Sequence, residues 1–197
     1  MKLLLAALLG ALAMFAWEFV AHMFTPLGEA GIRYMPKPDA VSSSLTSAIG
    51  DKAGMYMFPT GGVTDESSKE EKTKAMEKMM EEMKTNPSGL LIYKPAGTGF
   101  NFGKCLAVQF GTDFLKALLA AWLLTQTGLV AFGSRVGFVV IAGIIGAITT
   151  TIPHWNWYGF DSTFTMANVT MDVVGFLVAG LVIAAILKPR DLVLSRR

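Results

Sequence analysis

Four apolar stretches and one long polar block set the plan of this chain. Residues 3–24, 105–125, 136–153 and 164–187 each hold, or nearly hold, the ~20 predominantly apolar residues that a membrane-spanning helix requires. The first stretch ends at Thr25-Pro26, because proline disfavours helix at the residue before it. Between the first and second stretches the pattern is too polar to span. Residues 39–49 predict a short helix with Asp39 as N-cap and Gly50 as its stop. The G-M-Y-M-F-P run at 54–59 and the G-L-L-I-Y-K-P run at 89–95 read as strands. Residues 64–85 predict a charged helix, with Ser67 and Glu70 at capping-box spacing. Strand, helix and strand in that order predict a small βαβ-like unit; two extended arms on a membrane surface are the alternative. Pro153 is expected to close the third apolar stretch, and the tryptophan-rich 153–163 segment to form a loop.

The predicted fold is therefore mainly α and integral to a membrane. Transmembrane helix 1 occupies 1–24, an outward-facing α+β insert 25–103, helices 2–4 104–190, and a cytoplasmic tail 191–197. Composition agrees: of 197 residues 52% are hydrophobic and only 16% charged, with mean hydropathy +0.47, too apolar for an ordinary soluble domain. Residues 1–16 also carry the features of a secretory signal, with Lys2, an apolar core and Ala11, Ala13 and Ala16. The helical pattern runs on as W-E-F-V-A-H-M-F, which favours a retained helix.

Orientation follows from Lys and Arg in short flanks. Lys2 precedes helix 1, Arg135 lies in the link between helices 2 and 3, and Lys188, Arg190, Arg196 and Arg197 follow helix 4. Both termini are expected in the cytoplasm of a bacterial cell, with the chain in the inner membrane and the insert in the periplasm. A net charge of +2 is too small to suggest nucleic acid, and no nucleic-acid partner is expected. The single cysteine, Cys105, excludes an internal disulfide and any CxxC site. No P-loop, GxSxG, Rossmann or kinase pattern is present, so the reading leans against an enzyme. Asn168-Val-Thr170 matches a glycosylation acceptor but falls where helix 4 enters the membrane.

Polar positions inside the apolar stretches carry the candidate chemistry. Glu18 and His22 share one face of helix 1, four residues apart; Gln109, Asp113 and Lys116 share one face of helix 2. Thr150 and His154 lie one turn apart near the outer end of helix 3, while Asn168 and Asp172 open helix 4. Glu18, Asp113 and Asp172 each sit about six to nine residues in from the outer boundary, or ~9–14 Å at 1.5 Å per residue. Three carboxylates thus share one level. Toward the cytoplasm the same faces continue as small residues: Ala11 and Ala7, Ala120, Ala147 and Gly143, Gly175 and Ala179. The expectation is a four-helix bundle with a tight inner half and a polar pocket open to the outside. A lone charge in the membrane costs ~2.5–3.5 kcal/mol, so the charges should meet, with Lys116 partnering Asp113 or Glu18.

The leading reading of Glu18, Gln109, Asp113, Lys116, Asn168 and Asp172 is an intramembrane polar network that fixes helix register and needs no cofactor. Three sharper readings use overlapping groups. Glu18, His22, Asp113, His154 and Asp172 supply carboxylate and imidazole, which suit Zn, Fe or Mn. His22 and His154 offer a bis-histidine haem site. A proton-coupled transport path is the third, and the Gly/Ala-packed inner half speaks against it. Outside the bundle, Met76, Met79, Met80 and Met83 recur at i, i+3, i+4 and i+7, with Met55 and Met57 nearby. Thioethers favour Cu(I), but this spacing is first the packing stripe of an amphipathic helix that docks on the insert's strands or on a partner protein.

W-E-F-V-A-H at 17–22, Y-M-F-P at 56–59, I-Y-K-P at 92–95 and H-W-N-W-Y-G-F at 154–160 stand in an order that resembles small uncharacterised bacterial inner-membrane proteins with four helices. The resemblance implies fold and location and brings no activity. The function expected is that of a non-enzymatic accessory or structural subunit of a larger membrane complex, its partners the lipid bilayer and membrane proteins or further copies of itself. A metal- or haem-binding membrane protein and a proton-coupled transporter are the alternatives.

Overall fold

The computed structural model describes residues 1–188; the expected cytoplasmic tail, 191–197, lies outside the described residues. The elements run α1 (Lys2–Phe24), a 3-10 turn (Pro26–Glu29), α2 (Pro38–Ile49), β1 (Gly54–Phe58), α3 (Lys69–Glu82), β2 (Gly89–Tyr93), α4 (Phe102–Thr125), α5 (Phe132–Tyr158) and α6 (Ser162–Ile186). They divide into two compact units, residues 1–33 with 101–197, and residues 34–100. The protein is mainly helical, and α1, α4, α5 and α6 are long and apolar enough to cross a membrane.

In the first unit α1 packs against both α4 and α6, and α6 against α5; α4 and α5 touch sparsely. Small residues make the close approaches. Ala6, Ala7, Ala11, Ala117, Ala121, Ala179 and Ala184 are all but completely buried, beside Met14, Leu124, Val139 and Ile183. Gly143 on α5 faces Phe176 on α6 so closely that any Cβ would overlap the phenylalanine, and Gly180 is tight against Val139. Larger apolar side chains point the other way: Leu4, Leu8, Leu12, Leu119, Ile141 and Ile145 are exposed. Small inside and large outside is the pattern of helices that associate in lipid.

Three boundaries differ from the sequence reading, each for a local reason. Pro153 lies inside α5, which continues to Tyr158. Its missing N–H removes one helical bond near the helix end. The final turn is held by Gly159, left-handed at φ 70°, and by Trp155 Nε1 donating to Ser162 Oγ at 3.0 Å. The expected 153–163 loop thus contracts to residues 159–161. Asp161 caps α6, its carboxylate accepting from the backbone N–H groups of Phe164 and Thr163. Those two bonds, Phe164 first, hold its carboxyl below the ordinary aspartate range. Arg135 is not in a link; it is buried in the first turn of α5.

In the second unit β1 and β2 pair antiparallel, Gly54 opposite Tyr93 and Phe58 opposite Gly89. The βαβ expectation required parallel strands; with only two strands and α3 in the connection, an antiparallel ribbon forms instead. The capping box falls one residue later than expected: Ser68 Oγ accepts from Glu71 N and Glu71 Oε2 from Ser68 N, while Ser67 Oγ bonds Thr64. Helix α2 starts at Pro38, so Asp39 sits in its first turn and Lys37 is the cap residue.

Gly143→Ala should overpack the α5–α6 contact and destabilise the bundle by about 1–3 kcal/mol. Gly137→Ala in the same helix meets nothing within 4 Å and should be neutral or slightly stabilising. Unfolding of both variants in mixed detergent micelles tests the difference.

Candidate functional site

Spacing on α4 builds the centre of the site. Gln109, Asp113 and Lys116 follow at four and three residues and so share one face, turned toward Glu18 on α1. Gln109 Nε2 donates to Glu18 Oε2 at 2.6 Å and to Asp113 Oδ1 at 3.3 Å. Lys116 Nζ lies 2.7 Å from Asp113 Oδ1 and 3.5 Å from Glu18 Oε1. Asp113 is fully buried, and its Oδ2 has no hydrogen-bond partner. Glu18 and Lys116 keep 17% and 26% of their side chains exposed. One ammonium therefore bridges two carboxylates on two helices.

The same level reaches α6. Trp17 Nε1 donates to the Met171 carbonyl at 3.0 Å, tying α1 to α6 beside Asp172. Asp172 lies within electrostatic range of both Lys116 and Asp113, yet among the described residues it makes no hydrogen bond. It lines a cavity of about 490 Å³ with Lys116, Thr150, Thr151, His154 and Asn168, and with Phe160, Phe164 and Phe176. Asn168 Nδ2 donates to the Phe164 carbonyl of its own helix at 2.8 Å. His154, also in the cavity lining, stacks on Phe160, ring centroids 5.3 Å apart and 28° from parallel.

No family model, no curated protein and no solved structure matches this chain. The geometry alone speaks for the site.

That geometry separates the five residues expected to share a metal. Glu18 and Asp113 belong to the lysine cluster, Asp172 and His154 to the cavity. His22 is exposed on the last turn of α1, packed over Gly28. Among the described residues no group of three or more His, Cys, Asp or Glu side chains is placed to hold a metal ion. His22 packs over Gly28, while His154 stacks on Phe160 and lies beside Tyr158. Of the expected network, Glu18, Gln109, Asp113 and Lys116 bond directly. Asp172 joins by charge, and Asn168 lines the cavity.

The methionine stripe is not buried within the chain. Met76 and Met80 are each 53% exposed and Met83 40%. Met79 is half-buried, and with Met76, Met55 and Met57 it lines a second, larger cleft of about 570 Å³ in the 34–100 unit.

Arg135 was not marked as a site residue by the sequence reading. Its Nη1 donates to the carbonyls of Ala184 and Leu187, satisfying the C-terminal end of α6, and its guanidinium lies 5.8 Å from the centre of the Phe132 ring. An arginine before an apolar run reads as a flank charge, and no local signal distinguishes one that turns inward.

Lys116→Met should leave Glu18 and Asp113 facing each other without a cation. The expected loss is about 3 kcal/mol, the low end for a buried pair because Lys116 is partly exposed. Adding Glu18→Gln and Asp113→Asn to that variant should restore most of the stability. Denaturant unfolding of wild type, single and triple variants measures both effects.

Proposed function

We propose that the chain is a non-enzymatic integral membrane protein serving as an accessory or structural subunit of a larger membrane complex. The observation that carries this reading is the 34–100 unit, which has almost no core of its own. Tyr93 is its one buried hydrophobic side chain; Met55, Met57, Phe58, Met76, Met80 and Met83 are all exposed. A unit of this size needs a buried core, a disulfide or a partner to stay folded. The only cysteine lies outside it, at Cys105. A flexible, methionine-rich apolar surface suits a protein partner of mixed shape.

The membrane setting rests on the four apolar helices and their exposed aliphatic faces. Within the proposal the chain sits in a bacterial inner membrane, with the unit at 34–100 on the outer side. Lys2, Arg135 and Lys188 lie at the end of the bundle that would face the cytoplasm, and Arg190, Arg196 and Arg197 follow in the sequence. Transport through one copy is the weaker alternative. Toward that end the described helices are closed by Ala7, Ala11, Ala120 and Ala179, with no buried ionisable side chain between Asp113 and Arg135.

Mild detergent extraction followed by blue-native electrophoresis tests the reading. Wild type should migrate with a larger assembly, and Met76→Ser, Met80→Ser and Met83→Ser together should shift most of it to the size of the free chain. Migration of wild type only as a monomer or homodimer would contradict the proposal.

A further inference from the structure

The cavity between α5, α6 and Lys116 holds polar groups that the fold leaves unused. Among the described residues Asp172 makes no hydrogen bond, Thr150 and Thr151 make no side-chain bonds, and Asn168 commits its amide N–H but not its oxygen. These groups are half-buried, Thr150 exposed, and they leave donors and acceptors uncommitted around one space of ligand size. Charge selects the kind of ligand. Three carboxylates, Glu18, Asp113 and Asp172, face one ammonium, and Lys116 is already engaged by Asp113 at 2.7 Å and by Glu18 at 3.5 Å. An anion would meet Asp172 with no free cation beside it. A bare metal ion would lack ligands, since no three suitable side chains converge among the described residues.

The remaining walls fit an organic cation. Phe160, Phe164 and Phe176 line the same space as Asp172, and aromatic side chains beside a carboxylate suit an alkylated ammonium. At about 490 Å³ the space is of ligand size. It also opens sideways: α4 and α5 touch sparsely, and Gly146 and Thr150 on its rim are exposed. We propose that this side cavity binds an alkylammonium group, with Asp172 as its counter-ion and the three phenylalanines as its walls. The group reaches it as the headgroup of an aminophospholipid or as a free amine. The lipid route rests on the membrane reading above; the free-amine route does not.

The test uses the purified full chain. Ethylammonium chloride is titrated calorimetrically against protein in neutral detergent, and native mass spectrometry compares retention of phosphatidylethanolamine with phosphatidylglycerol. Co-flotation with vesicles is scored separately. Wild type should bind ethylammonium or retain phosphatidylethanolamine in preference. Asp172→Asn should weaken the binding about tenfold or more, the scale of one charge-assisted contact, and Asp172→Glu should keep most of it. Calorimetric binding with no lipid preference assigns a free amine; lipid preference assigns a headgroup. Binding to neither, or an Asp172→Asn variant that binds like wild type, would overturn the proposal. A chain that binds ethylammonium but does not float keeps the site and loses the membrane reading. One that floats but binds neither does the reverse.

Discussion

The Lys116 ammonium is the interaction around which the helical unit is arranged. It joins Asp113 one turn earlier on α4 to Glu18 on α1, and Gln109 closes the triangle by donating to both acids. In an apolar bundle none of these groups is tolerable alone. Their meeting therefore fixes both the rotation of α1 and α4 about their axes and their relative height. Trp17, next to Glu18, carries that height to α6 through the Met171 carbonyl. One level of the bundle is thus set by polar contacts, and each helix's remaining face follows from it.

Below that level, packing replaces polarity. Alanine and glycine on α1, α4, α5 and α6 bring backbones close, and Gly143 against Phe176 leaves no room for a methyl group. The far end is closed by Arg135, which supplies donors to the last carbonyls of α6. Such an arrangement is rigid at the bottom and polar on one side at the top. The cavity beside Asp172 lies along α5 and α6, whose close contact is at Gly143, and α4 touches α5 only sparsely.

Much of this could be read from sequence because long apolar helices that pack on small residues have a simple code. Four apolar runs gave the four long helices, and small residues at three- and four-residue spacing marked the faces that became buried. Charges within apolar runs stood out by their rarity. What escaped depended on context beyond a few residues. Pro153 looks like a helix end, and only the aromatic turn and Gly159 beyond it keep the helix going. Arg135 turns inward because the end of α6, 49 and 52 residues downstream, offers it carbonyls. The strand direction in the 34–100 unit depends on how α3 folds back, which no strand-level pattern records. The exposure of Met76, Met80 and Met83 was hidden for the same reason: periodicity tells which face is apolar, not whether anything covers it.

The central claim is that Lys116 bridges Glu18 and Asp113 in the assembled protein. Solid-state NMR of the chain in lipid bilayers, with 15N at lysine side chains and 13C at carboxyl carbons, tests it directly. The account predicts dipolar coupling from the Lys116 Nζ to the carboxyl carbons of both Asp113 and Glu18, stronger to Asp113, in keeping with oxygen distances of 2.7 and 3.5 Å. A Lys116 signal that couples to neither carboxyl carbon would contradict it.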